Sequence, residues 1–99
     1  MAGADTSSYD LVSLPIDGVL DLHTFNPREV GDLVPYYLAL CRERGIYEVR
    51  LIHGKGSGTL RQTVHALLRR IPWVLSYRQA DPHAGGWGAT YVVLQPPLS

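Results

Sequence analysis

Cysteine, lysine, methionine and phenylalanine each occur once in this sequence, and it contains neither a long apolar run nor an internal repeat. One cysteine excludes an intramolecular disulfide. Cys41 falls on the apolar side of a helical pattern, so it is expected to be a reduced core thiol. No segment approaches the ~18 apolar residues of a membrane-spanning helix. Residues 1–6, Met-Ala-Gly-Ala-Asp-Thr, have neither the basic nor the apolar region of a signal peptide, and a cytoplasmic protein with no membrane partner is expected. With 45% hydrophobic residues in 99, the chain has material for one core and none for a second.

Net charge is absent too, and a formal value of zero argues at first against a polyanionic partner. Its distribution changes the picture. Residues 1–48 carry eight acids against three arginines, whereas residues 49–99 carry five arginines and Lys55 against Asp81 alone. The halves stand at −5 and +5. The basic half suits either a solvated face or an anion-binding patch.

The stretch most informative about chemistry opens that basic half. Val49-Arg50-Leu51-Ile52-His53 reads as a buried strand, and Gly54-Lys55-Gly56-Ser57-Gly58 breaks it before a helical pattern begins. Strand, glycine loop and helix in this order let the backbone approach a ligand and aim unpartnered N–H groups at it, which favours phosphate. The only lysine, Lys55, lies inside the loop.

The remaining elements follow in order. Residues 1–10 are small and polar, and Leu11–Ile16, interrupted by Pro15, predicts an extended strip along the domain. Gly18–His23 reads as the first strand, with Leu20 and Leu22 on one side and Asp21 and His23 on the other. Asn26, Pro27 and Glu29 spell a capping box, and Val30, Leu33, Val34, Tyr37, Leu38 and Cys41 form one stripe of a helix ended by Gly45. Pro35 predicts a kink on the solvent side. Thr59 and Gln62 offer a second capping box, with Leu60, Val64, Leu67, Leu68 and Ile71 as the stripe and His65 as a surface residue. Trp73–Ala80 and Ala89–Leu94 read as strands around a second glycine-rich loop, Asp81–Gly88. His83 in that loop is assigned to structure or solvent. The order β-α-β-α-β-β predicts an α/β fold with both helices on one face of a mainly parallel sheet. Ligands of such sheets bind at the carboxyl ends of parallel strands, so Asp21 and His23 are expected to share a crevice with His53 and Lys55.

These residues resemble the small MutS-related, or Smr, domain family. The resemblance rests on Leu20-Asp21-Leu22-His23, on His53-Gly54-Lys55-Gly56-Ser57-Gly58 followed by Leu60-Arg61, and on Gly85-Gly86-Trp87-Gly88-Ala89-Thr90. It covers roughly residues 16–94, leaving 1–15 as a flexible segment and 95–99 as a tail, and looks like a stand-alone member. It implies a two-layer sandwich with a four-stranded mixed sheet, similar to the C-terminal domain of translation initiation factor three. The last strand would be inserted antiparallel beside the second, bringing the Gly85–Gly88 loop to the sheet end of His53. It also implies binding of RNA or DNA and, in many members, endonuclease activity. By position Asp21 and His23 match the acidic-x-His motif, and His53, Gly54 and Gly56 match the HGxG motif. The family commonly has glycine after the first histidine; here Thr24-Phe25 follows, and Phe25 is either a base-stacking face or a core plug.

The expected mechanism is phosphodiester cleavage. Asp21 orients His23 as general base on a 2′-hydroxyl or a water, and His53 serves as general acid or phosphate ligand. Lys55 and the N–H groups of Gly54, Gly56, Ser57 and Gly58 stabilise the transition state, with Arg61 beside them. Gly86, Trp87 and Gly88 contribute to nucleic-acid binding, Trp87 either stacking on a base or packing as a core lid. Imidazole acid–base chemistry requires no cofactor or metal. A divalent cation held by Asp21 and a histidine is the alternative, although one carboxylate makes a poor magnesium site. Two rival functions stay open. One is a non-catalytic nucleic-acid module. The other, a nucleotide-binding domain, is disfavoured because the loop is neither G-x-G-x-x-G nor a Walker loop.

Overall fold

The computed structural model describes residues 14–98, so the N-terminal strip expected over 11–16 is seen only from Leu14 onward and residues 1–13 and 99 lie outside it. The elements are β1 (Val19–Asp21), α1 (Pro27–Glu43), β2 (Glu48–Ile52), α2 (Thr59–Arg69), β3 (Val74–Gln79), two 3₁₀ turns (Pro82–Ala84 and Gly86–Gly88) and β4 (Ala89–Leu94). No helix among the described residues is long and apolar enough to cross a membrane.

Local chemistry explains α1. The Asn26 side chain accepts from the Arg28 N–H at 2.9 Å, and Glu29 reaches back to the Asn26 N–H at 3.2 Å, closing the capping box. Its stripe Val30, Leu33, Val34, Tyr37, Leu38 and Cys41 is entirely buried. The Cys41 thiol, free and buried, is pushed up in pKa chiefly by desolvation. The helix runs unbroken through Pro35, which is half-buried.

The start of α2 differs from the expected capping box. Gly58, at φ +90°, takes the N-cap position, and Thr59 is already helical. A left-handed residue is needed to turn the loop into the helix, and glycine adopts it without steric cost. A capping oxygen then comes from one residue earlier: Ser57 Oγ accepts the Thr59 N–H at 3.3 Å.

The sheet order is β1-β2-β4-β3. β1 and β2 pair parallel, while β4 is antiparallel to both β2 and β3. The expectation of a mainly parallel sheet is therefore corrected: insertion of β4 makes it mixed, as the resemblance implied. Leu20, Leu51, Val92 and Leu94 face the two helices in one core. On the opposite face Val19, Arg50, Tyr91 and Arg78 stand in one cross-strand row. There the Arg78 guanidinium lies 4.7 Å from the Tyr91 ring centre.

Tyr37 ties α1 to the edge strand. Its fully buried hydroxyl accepts the Gly18 N–H at 3.0 Å and donates to the Val19 carbonyl at 3.1 Å. Burial pushes its pKa up to about 12.

Candidate active site

Parallel pairing places Leu20 beside Leu51 and Asp21 beside Ile52. Because neighbours in register share a face, Leu20 and Leu51 enter the core and Asp21 points to the open side. The Leu22 N–H donates to the Ile52 carbonyl at 2.8 Å, then the chain leaves the sheet in a turn closed by Phe25 N–H to Leu22 O at 3.0 Å. Phe25 packs against the core, so the plug describes it better than the stacking face. Beyond the buried Leu22, the His23 imidazole uses Nδ1 to pair with Asp21 Oδ1, which also accepts the His23 backbone N–H at 3.2 Å. Both side chains are open to solvent, 64% for His23 and 43% for Asp21. Nε2 is the ring nitrogen that this pairing leaves open.

His53 has the opposite setting. It continues the inward parity of Val49 and Leu51 and is 5% exposed. Its Nδ1 lies 3.1 Å from the Gly54 carbonyl and its Nε2 lies 2.8 Å from Thr90 Oγ1. His65 Nε2 meets the same hydroxyl at 2.9 Å. Proton positions follow from the partners. A carbonyl only accepts, so Nδ1 of His53 carries the proton. In neutral His53, Nε2 then accepts from Thr90, and the Thr90 oxygen accepts from His65 Nε2–H. Neutrality fits the setting: desolvation holds both imidazoles below the usual histidine pKa, and the Arg61 guanidinium adds to the effect at each.

Asp21 and His53 therefore leave their strands toward opposite faces of the sheet, and the Asp21–His23 pair shares no hydrogen bond with the network around His53. Among the described residues no three His, Cys, Asp or Glu side chains gather as metal ligands. What joins the strand ends is backbone. The carbonyl of Gly88 accepts N–H groups from His53 at 3.0 Å and Gly54 at 2.8 Å, bringing the second glycine loop onto the first. A Cβ on Gly88 would meet Lys55 Cγ at 2.9 Å, so the close approach requires glycine.

Around this junction Lys55, Gly56 and Ser57 are exposed, Gly54 and Gly58 are left-handed, and Arg61 is half-buried. Gly86 and Gly88 are buried, whereas Trp87 is 45% exposed, which rules against a core lid. His83 is exposed, as expected. His65 is corrected: far from being a plain surface residue, it is half-buried, bonded to Thr90 and tilted against Tyr77 with ring centres 4.9 Å apart. Its partners come from β4 and β3, which its position after Val64 does not reveal. Thr90 was missed as well. The available signal was alternation in β4, which puts this hydroxyl on the inward side with Val92 and Leu94.

With this geometry established, similarity to known proteins carries weight. The Smr domain model matches residues 20–95. The chain is 41% identical over 80 residues to Endonuclease MutS2 of Thermomicrobium roseum, covering 81% of this chain and 10% of that protein. It thus spans about a tenth of the length of the curated relatives it matches. Among solved structures, the Smr domain of Thermus thermophilus MutS2 superposes with a TM-score of 0.75 at 39% identity, covering 81% of this chain and 100% of that one. YdaL, a stand-alone small MutS-related protein from Escherichia coli, gives 0.75 at 31% identity, with 82% and 66% covered.

Proposed function

The chain belongs to the Smr domain family, and on that premise we propose that it binds nucleic acid and cleaves phosphodiester bonds, with Asp21 and His23 as the acid–base machinery. The carrying observation is the Asp21–His23 pair at the solvent-open end of β1. Asp21 fixes the imidazole through Nδ1, which leaves Nε2 to take a proton from a 2′-hydroxyl or a water as it attacks phosphorus. The phosphorus–oxygen bond on the far side breaks, the released oxygen takes a proton from water, and the His23 imidazolium returns its proton to solvent. Names of relatives support the activity: the MutS2 proteins of Thermomicrobium roseum and Thermus thermophilus are called endonucleases.

The glycine loop contributes charge rather than proton transfer. Lys55 is its one cation, exposed beside the N–H groups at the start of a helix whose N-cap, Gly58, has no side chain to cap them. Such donors stabilise the extra negative charge of the transition state. His53, expected as general acid or phosphate ligand, has both ring nitrogens engaged in the network described above, and we assign it to holding the loop. Trp87, exposed between buried glycines, is read as a stacking surface for an unpaired base.

A gel assay on end-labelled single-stranded RNA, structured RNA and supercoiled DNA, with and without EDTA, tests this. Cleavage by the unaltered protein and its loss in Asp21→Ala/His23→Ala are expected. Binding without cleavage, or cleavage the double variant keeps, would refute the catalytic assignment and leave a recognition module. Loss of cleavage with EDTA would assign the chemistry to a divalent cation instead.

A further inference from the structure

The loop that carries Lys55 is strapped at both ends by one chain of hydrogen bonds. At its start, His53 donates to the carbonyl of Gly54, the first loop residue. Beyond its end, His65 on α2 donates to Thr90, which donates to His53. Thr90 sits on β4 directly beside Leu51, two residues before His53, so its hydroxyl is placed by the sheet itself. The relay therefore crosses from strand to strand to helix. Because the Gly54 carbonyl at one end can only accept, each link of the relay with neutral imidazoles has one direction available to it.

We propose that Thr90 and His65 are positioning residues of the candidate site: they hold His53 as its Nδ1–H tautomer, and through it the Gly54 carbonyl and the setting of the Gly54–Gly58 loop. In the other tautomer the bare Nδ1 would face the Gly54 carbonyl, lone pair against lone pair, and Nε2–H would compete with His65 for the Thr90 oxygen. Either change releases one end of the strap. Charging the network is opposed as well. The groups facing the two imidazoles are Arg61 and Arg69 from α2 and the Tyr77 ring from β3, with no carboxylate among them to stabilise an imidazolium.

What the loop binds rests on the proposed function; the tautomer does not, and the two are measured separately. Ring-nitrogen NMR of ¹⁵N-histidine protein at neutral pH reads protonation nitrogen by nitrogen. The expected spectrum has His53 with a proton on Nδ1 alone and His65 with one on Nε2. Thr90→Val keeps the shape and removes the hydroxyl, so the population of the Nδ1–H form of His53 should fall; Thr90→Ser should restore it. On single-stranded RNA the valine variant should lose on the order of 10²-fold in kcat with KM little changed, as expected for misplaced groups, and serine should recover it. A merely structural threonine would move stability without moving the tautomer.

A spectrum of the unaltered protein with the His53 proton on Nε2, or with both nitrogens protonated at neutral pH, overturns the proposal and needs no variant. So does a valine variant that folds and keeps the Nδ1–H form. If the spectra are as expected but the unaltered protein cleaves nothing, the positioning network stands and the nuclease assignment fails.

Discussion

Replacing Tyr37 with phenylalanine removes one oxygen from a side chain that is fully buried. That oxygen accepts the N–H of Gly18, itself buried, and donates to the carbonyl of Val19. The phenylalanine ring refills the same space, so no cavity term enters, and the cost lies in the orphaned partners. An unsatisfied buried N–H costs about 1–3 kcal/mol, and loss of the second hydrogen bond adds about 0.5–1.5. A total of roughly 1.5–4.5 kcal/mol is therefore expected, against a whole-domain stability of about 5–15. In a domain of this size that lowers Tm by at least about 6 °C. The loss should also be uneven. The Gly18 carbonyl accepts from Arg50, and β1 is a three-residue edge strand that this tyrosine hydrogen-bonds to the helix layer. Urea unfolding of Tyr37→Phe should show a lower midpoint with unchanged slope, and hydrogen exchange should quicken first at the Gly18 and Arg50 amides. A loss below about 0.5 kcal/mol, within the range of neutral surface changes, would refute this account of the hydroxyl.

Stability should fall on acidification. Burial lowers the pKa of His53 and His65 in the folded state, so the unfolded chain binds protons more readily. Stability is then fully present above the unfolded value of about 6.5 and declines as pH drops from there through the lowered folded values. Urea midpoints across pH 5 to 8 check this, and His65→Gln should flatten the slope. Trp87→Ala, at an exposed position, should leave stability within about 0.5 kcal/mol and weaken single-stranded RNA binding by about 1–3 kcal/mol, read by titration of a fluorescently labelled oligonucleotide. Unchanged affinity would remove Trp87 from the interface.

Helix α1 was legible in nearly every detail because its determinants are local. Asn26, Pro27 and Glu29 cap neighbours within the same turn, and residues three and four apart share a face whatever surrounds the helix. The start of α2 was not. Thr59 and Gln62 satisfy the same local rule, but the path from β2 required a left-handed residue at Gly58, and that path depends on where β2 sits. The mixed sheet shows the same division. Ala89–Leu94 is readable as a strand, yet nothing within it says that it lies between β2 and β3. Family resemblance supplied that order; periodicity alone pointed to a mainly parallel sheet.

For the site, sequence by itself determined which residues are available: an acid and an imidazole two apart on a strand, and a lysine among glycines after another. Alternation also determined that Asp21 and His23 leave the core side. Tertiary structure decided which of them meet. It paired Asp21 with His23 in solvent, drew His53 inward onto Thr90 and His65, and set the carbonyl of Gly88 against the Gly54 turn. The reason is that side-chain direction is a short-range property of the backbone, whereas a hydrogen-bond partner 25 or 37 residues away exists only once strands and helices have packed.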